Sequence, residues 1–253
     1  MVRSRLARRL SARPRLARRL GAPLAAVILV LAAPAAQAAP ARPDILGSVA
    51  IPADTLAALP LWRRALADQA NWLADLKGCL GRGEAECASL PEKVWLARIE
   101  GLATLPAAEK ASAANLLVNQ LLGESPPDPA APDPATPAAP AAPAADAPWP
   151  TLGDLLGAHR QPAGDLALAL AKYHTLRAAG VPAVDVRVVA THPTLGGGGH
   201  FLAVTRVDGD WQLLGSAGGL LEPAGRSSLF APLYSFNETT RWVHFPARLA
   251  EHP

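Results

Sequence analysis

The sequence predicts an α+β protein in which helices come first and an antiparallel sheet follows. Between residues 61 and 122, apolar residues recur at helical spacing. Beyond residue 183, the pattern changes to the alternation of apolar and polar residues that is typical of strands. Short turns, including the hairpin dipeptide Asp208-Gly209, join these later segments. Helices followed by strands that short turns connect indicate the α+β class.

The first 38 residues have the layout of a bacterial secretory signal peptide. Residues 1–19 contain eight arginines and no acid, residues 24–33 are apolar, and Ala36-Gln37-Ala38 is a small-x-small cleavage site. A retained membrane anchor is the alternative, but this apolar run is well short of the roughly 20 residues that span a bilayer. We therefore expect cleavage, a periplasmic or secreted mature protein, and no stable membrane span.

Removal of this leader reverses the sign of the net charge. The whole chain has 24 basic and 21 acidic residues. Without the eight leader arginines, 16 basic residues remain against the 21 acids, so the mature chain is acidic. The basic character therefore belongs to the leader, and the sequence gives no support for nucleic-acid binding.

Three predicted helices occupy residues 39–124, which form the N-terminal helical part of the core. The first covers residues 61–77 and is expected to end at the glycines that follow it. The second begins near Pro91 and the third near Pro106, because proline is favoured in the first turn of a helix. The tryptophans of this part are expected to pack between helices rather than to form a ligand-binding box: Trp62, Trp72 and Trp95.

The chain has two cysteines, Cys79 and Cys87. Export would place them in an oxidising compartment, and an even count close in sequence favours one disulfide. A zinc half-site or a reactive thiol is the alternative, although no second Cys or His pair stands nearby at ligand spacing. No metal site is expected from the other histidines either, since none has ligand spacing: His159, His174, His192, His244 and His252.

Residues 125–148 are nearly all Pro, Ala and Asp, a composition that predicts an extended linker or surface loop. Residues 149–253 follow with a central helix and the antiparallel β part of the core. The helix is predicted over residues 165–179 because Leu, Ala and Lys favour helix, although the Leu-Ala alternation would also suit a strand. Asp165 serves as an N-cap or first-turn acid, and Gly180 ends the helix. The predicted strands are residues 183–190, 200–207, 211–214 and 241–245.

Several segments between about residues 56 and 246 resemble the bacterial transglutaminase-like cysteine peptidases. The most specific is Ala171-Lys172-Tyr173 with Thr175-Leu176-Arg177 and Gly180, which is similar to the family's I-A-K-Y-x-x-L-R-x-x-G. The resemblance implies a papain/transglutaminase-like core and a periplasmic setting. The other matching segments are short but follow the family's order: Leu61-Trp62-Arg63-Arg64-Ala65; Cys79, Cys87 and Trp95; Asn115 and Val118-Asn119; Trp149-Pro150-Thr151 with Leu155; His200 with Ala203-Val204; and Leu233-Tyr234-Ser235-Phe236-Asn237 with Trp242.

The resemblance also implies where a Cys-His-Asp triad would lie, and two of its three positions have changed. Counting back from Lys172 without a gap places Asp165 at the nucleophile position, whereas a one-residue deletion would place Leu166 there. His200 matches the catalytic histidine, and Gly215 falls at the position of the triad aspartate. His200 is thus expected to be the relic base of a site that has lost its thiol.

Loss of the thiol predicts a chain that keeps the peptidase fold without catalysis. Removing the nucleophile of a cooperating triad costs on the order of 10⁶ in rate. The acids that include the family's calcium ligands are not retained, so no cofactor is expected. We therefore interpret the chain as a degenerate member of the family, a binding or regulatory module with a periplasmic or envelope protein as its partner.

Two other functions stay open at this stage. Asp165 could act as a covalent nucleophile beside His200 in a hydrolase of altered chemistry, because aspartate forms covalent intermediates in some enzymes. A carboxylate needs no general base, however, and attacks amides poorly. The chain could instead be a structural envelope protein in which the Pro/Ala segment, residues 125–148, is a spacer.

Overall fold

One sheet of seven antiparallel strands organises the fold. The strands follow the order β1-β7-β6-β2-β3-β4-β5, so the first strand of the chain pairs with the last. The structure, a computed structural model, describes residues 44–53, 56–82, 87–123, 147–157, 164–194, 198–216, 218–226 and 229–247. The strands are β1 Ser48–Ala53, β2 Val186–Pro193, β3 His200–Val207, β4 Asp210–Leu214, β5 Leu221–Pro223, β6 Phe230–Phe236 and β7 Arg241–Pro246; the helices are α1 Pro60–Gly81, α2 Leu90–Ala103, α3 Ala107–Leu122, α4 Leu152–Gly157 and α5 Asp165–Ala178.

This architecture confirms the α+β prediction, with more strands than the sequence pattern indicated. The strands β1, β5 and β6 lie outside the predicted set. β5 has only three residues, and β1 and β6 each contain a proline, which cannot donate to the ladder and argues against a strand. In β6, Pro232 lies opposite Thr191, where the register with β2 shifts. That irregularity accommodates the proline inside the sheet.

The first helix is longer than predicted, because α1 continues through Gly78 to Gly81. A glycine inside a helix costs about 1 kcal/mol relative to alanine. The last turn also carries Cys79, which is buried and joined by a disulfide to Cys87, with the two Cα atoms 6.3 Å apart. The predicted disulfide is therefore present. The buried and cross-linked Cys79 helps to keep the last turn helical despite the glycines.

The central helix α5 is buried over residues 169–176 and packs against β2, β3 and α3. Burial on all sides explains why its sequence lacks a clear polar stripe. The helix ends at a left-handed residue: Gly180 has a φ of +85°, a value that glycine adopts readily because it has no Cβ. The Gly180 N–H donates to Arg177 O at 3.0 Å, and the Val181 N–H donates to Leu176 O at 3.0 Å. This Schellman motif satisfies the last carbonyls of the helix and turns the chain into the sheet.

The tryptophans of α1 and α2 connect these helices to the sheet and to α5. Trp62 is fully buried, and its Nε1 donates to Asn237 O at 2.8 Å. Its ring meets that of Tyr173 edge-on, with centroids 5.2 Å apart. Trp95 is 1% exposed, and its Nε1 donates to Thr175 Oγ1 at 3.0 Å. Both indoles therefore pack in the core with their polar atoms satisfied, as the helix-packing interpretation predicted.

The contact between α4 and Trp72 provides a sharp test of packing. A Cβ added at Gly153 would lie 2.3 Å from the Trp72 ring, whereas one added at Gly157 in the same helix meets nothing within 4 Å. Trp72 cannot easily move, because its Nε1 donates to Glu92 at 2.9 Å. We expect Gly153→Ala to lower the free energy of unfolding by about 1–3 kcal/mol through overpacking. Urea unfolding should show this loss, and Gly157→Ala, the matched control, should be neutral or stabilising.

Some predictions lie outside the described residues. The predicted signal peptide, residues 1–38, lies there, and so does the predicted linker, residues 125–148, except for its last two residues. Both stay predictions, as do the boundaries between the parts of the core. In the described part of the chain, no helix combines the length and the apolar composition that crossing a bilayer requires.

Candidate functional site

The N-terminal ends of α5 and β3 meet in one cleft. Asp165 is the first residue of α5, and His200 is the first residue of β3. Nδ1 of His200 pairs with Oδ2 of Asp165, and the two side chains are 39% and 52% exposed. Leu166, the other candidate for the nucleophile position, packs against the core instead. Of the two candidates, Asp165 is therefore the one whose side chain faces the histidine.

Local sequence explains why these two residues begin their elements. Gly164 is extended and serves as the N-cap, so that Asp165 lies in the first turn, where the helix dipole favours an acid. Thr191 of β2 pairs with His200 and donates from Oγ1 to its backbone oxygen at 3.1 Å. The ring of Phe230 contacts the imidazole, with centroids 5.6 Å apart. His200 is thus fixed by strand pairing and by an aromatic neighbour.

Lys172 is the functional group of this cleft that the sequence reasoning did not single out. It is only 3% exposed, yet it lines the cleft from the same side of α5 as Asp165. Its Nζ donates to Gly215 O at 2.7 Å and to Leu214 O at 3.2 Å. Burial lowers the pKa of the ammonium group to about 8, although the Asp165 carboxylate acts in the opposite direction. The available signal was a lysine directly after the apolar run of residues 166–171.

The loop after β4 carries the position at which the resemblance expects an aspartate, and α3 holds this loop. Asn119 Nδ2 donates to Gly215 O at 3.0 Å, and Asn115 Nδ2 donates to Leu220 O at 3.0 Å. A Cβ added at Gly215 would meet Leu220 O at 3.6 Å, an ordinary contact distance. The packing of the loop therefore leaves room for a side chain where this chain has none.

The cleft has a volume of about 380 Å³ and walls of mixed character. Its charged or titratable groups come from α5, β3 and β5, and its apolar walls come from α5 and the sheet. Its polar side chains therefore face a largely apolar space. The charged or titratable residues are Asp165, Lys172, His200 and Glu222. The apolar residues include Leu168, Phe201, Leu213, Leu214, Leu229 and Phe230.

No thiol is available to this cleft. The two cysteines of the sequence are joined to each other, and they line a different groove of about 1150 Å³ beside α1. The group that faces His200 is instead the carboxylate of Asp165. A carboxylate is a much weaker nucleophile than a thiolate, so the arrangement lacks the group that forms an acyl-enzyme with an amide.

The residues around Asp165 do not fit a calcium ion. The resemblance places acidic ligands here, but the chain has Gly164, Leu166, Ala167 and Leu168 around the single carboxylate. Calcium takes six to eight oxygen ligands. The one carboxylate is already paired with the imidazole. Within the described ranges, no three His, Cys, Asp or Glu side chains are grouped as metal ligands would be.

Comparison with known proteins gives a match at the level of structure. No family model matches the sequence, and no curated protein matches it. Among solved structures, calcium-bound LapG of Legionella pneumophila is similar, with a TM-score of 0.50 and 19% identity over 67% of this chain and 87% of the LapG chain. LapG is a bacterial transglutaminase-like cysteine peptidase. The chain has the transglutaminase-like fold.

At 19% identity, this similarity shows the transglutaminase-like fold and not an activity. Two further LapG structures, one of them EGTA-treated, align at the same identity with a TM-score of 0.49. The similarity to calcium-bound LapG confirms the predicted fold. What this version of the transglutaminase-like fold does has to be inferred from the residues of its own cleft.

Proposed function

We propose that this chain is a non-catalytic protein of the transglutaminase-like peptidase fold, which serves as a binding or regulatory module. One observation carries the proposal: a carboxylate, Asp165, faces Nδ1 of His200 at the position where the resemblance places a thiol. The scaffold around this pair is intact, because the helix, the strand and the loop that would carry the triad are all present.

The chemistry of the pair argues against peptidase activity. A general base activates a nucleophile by removing its proton, but an ionised carboxylate has none to give. Nδ1 of His200 is already paired with this carboxylate. The position of the third triad residue, Gly215, has no side chain that could orient the imidazole. The cleft thus has the histidine but lacks the thiol and the third side chain that a cysteine peptidase triad needs.

The setting of the proposal is the bacterial periplasm. The leader over residues 1–38 supports export, and the acidic mature chain supports a protein partner from the periplasm or envelope rather than nucleic acid. The proposed module works without a calcium ion, because the residues around Asp165 do not supply its ligands.

A peptidase assay tests the proposal directly. The purified protein is incubated with casein or with an adhesin-like peptide, beside the variants His200→Ala and His192→Ala. We expect no cleavage above background in any of the three. His192 is the matched control because it is an exposed histidine of the neighbouring strand. Cleavage by the native chain that disappears in His200→Ala and persists in His192→Ala would overturn the proposal.

A hydrolase of altered chemistry is the second candidate, and the direct contact of Asp165 with His200 favours it. In such an enzyme the carboxylate would attack carbon, and the imidazole would activate the water that releases the product. A screen of ester substrates with Asp165→Asn as the control decides this case. Activity that Asp165→Asn leaves unchanged would remove the idea.

A further inference from the structure

The amine of Lys172 holds the loop after β4 and also lines the cleft. It lies in the wall of the cleft beside the Asp165–His200 pair, not in the closed core. Two backbone oxygens, those of Leu214 and Gly215, accept its N–H groups. Burial lowers its pKa to about 8, although the nearby Asp165 carboxylate opposes this shift. The hydrogen bonds, the place in the cleft wall and the lowered pKa are therefore all properties of the same atom, Nζ of Lys172.

The two accepting oxygens orient the amine. When Nζ is neutral, it has two N–H groups and one lone pair in a tetrahedral arrangement. The two N–H groups point to Leu214 O and Gly215 O, so the lone pair points away from the loop that supplies these oxygens. With a pKa of about 8, a far larger share of this amine is neutral near neutral pH than in an ordinary lysine, whose pKa is about 10.4.

The surroundings fit a carbonyl compound with an apolar body. Leu213, Phe201 and Phe230 line the cleft, and Leu229 at its wall is 60% exposed. A volume of about 380 Å³ accepts a small aliphatic or aromatic molecule. His200 supplies a proton donor and acceptor in the same space.

We propose that this cleft binds an aldehyde with an apolar body and captures it as an imine on Nζ of Lys172. The lone pair of Nζ attacks the carbonyl carbon, and one proton moves from Nζ to the carbonyl oxygen to give a neutral carbinolamine. This intermediate loses its hydroxyl as water, with a proton supplied by protonated His200, while Nζ gives up a proton in return. The products are an imine and one water molecule, so the step needs no oxidant or reductant. The inference rests on the proposed function, because it takes the cleft as a ligand site rather than a peptidase site.

Reductive trapping tests this inference on the native protein. Hexanal is added at low concentration with cyanoborohydride, which converts an imine to a stable amine, and the modified peptides are identified by mass spectrometry. The chain contains four lysines, so Lys77, Lys93 and Lys110 serve as internal controls for Lys172. We expect at least about tenfold more label on Lys172 than on any other lysine, because its neutral fraction is larger. Glycolaldehyde, a polar aldehyde, should show a smaller preference.

Two variants complete the experiment. Lys172→Arg keeps a cation that can donate to both backbone oxygens but removes the amine, so the label should disappear from this position. His200→Gln keeps the amine and should slow its labelling. Equal or weaker labelling of Lys172 in the native protein would overturn the inference, whether or not the variants fold. That result leaves the proposed function standing, whereas casein cleavage that depends on His200 overturns the proposed function independently of the label.

Discussion

The double variant Asp165→Cys/Gly215→Asp is expected to hydrolyse casein or an activated ester at least about 10²-fold faster than the native chain. A general base beside a nucleophile contributes about 10²–10⁴ in rate, and the variant restores both partners. The measurement is the initial rate with each substrate at neutral pH, with labelling of the new thiol by iodoacetamide as a second readout.

The structure explains why two substitutions should be enough. A cysteine at position 165 would begin α5, where the positive end of the helix dipole lowers the pKa of a thiol. Nδ1 of His200 already points at this position. At position 215 an added Cβ has only an ordinary contact to Leu220 O, so an aspartate can be built into the existing loop.

Matched variants separate a restored triad from a merely reactive thiol. Asp165→Cys alone should be alkylated but should hydrolyse substrate more slowly than the double variant. The double variant with His200→Ala should lose most of the gain. A double variant that folds, is alkylated rapidly and yet shows no hydrolysis would contradict the view that this cleft is a peptidase site whose reactive groups have been replaced.

Acid is expected to unfold the protein near pH 4, with two buried histidines as the main cause. Burial lowers the pKa of His174 to about 3 and that of His244 to about 4, from the ordinary histidine value of 6.5. Above pH 6.5 both are neutral in the folded and unfolded states. As the pH falls below 6.5, the unfolded chain takes up protons that the folded chain excludes, so the free energy of unfolding decreases. At pH 4 each histidine should remove about 3 kcal/mol.

The contacts of the two rings support neutral imidazoles. Nε2 of His174 has no hydrogen-bond partner among the residues that the structure describes, so a proton there would be unsatisfied. His244 bridges two serines: Nδ1 donates to Ser48 Oγ at 2.7 Å, and Nε2 accepts from Ser235 Oγ at 2.8 Å. Ser48 in turn donates to Ile45 O at 2.6 Å, which fixes the direction of this chain of hydrogen bonds. Protonating Nε2 would break it.

Urea unfolding at pH 7.5 and pH 4.5 measures this effect. His174→Phe should be more stable relative to the native chain at pH 4.5 than at pH 7.5, by about 2–3 kcal/mol, because it cannot take up the proton. His192→Gln, at an exposed position, is the matched control and should show no such difference. If the native chain and His174→Phe lose stability in parallel as the pH falls, the carboxylates and not this histidine control acid unfolding.

Sequence reasoning identified the class of fold because periodicity is strong in long helices and in alternating strands. It placed α5 correctly, and it placed Asp165 and His200 at the starts of their elements. It did not identify β1, β5 and β6, since proline and short length obscure a strand whose pairing partners are distant in sequence.

The candidate site was likewise predicted only in part from the sequence. The resemblance located its expected positions, but periodicity could not show which atoms of Asp165 and His200 would meet, because that depends on how α5 crosses the sheet. The role of Lys172 was hidden for the same reason. Its two acceptors, Leu214 O and Gly215 O, are backbone atoms of a loop more than forty residues away, and backbone atoms leave no signature in a sequence.

The pairing of β1 with β7 has a consequence for the order of folding. Ser48 lies opposite Pro246, so the strand that is synthesised first is completed by the strand that is synthesised last. Contacts of such large sequence separation form slowly, because a long loop must close before they are gained. The sheet therefore cannot acquire its full set of strands until the end of the chain is available. A chain that still lacks β7 leaves β1 without its pairing partner and one edge of β6 open.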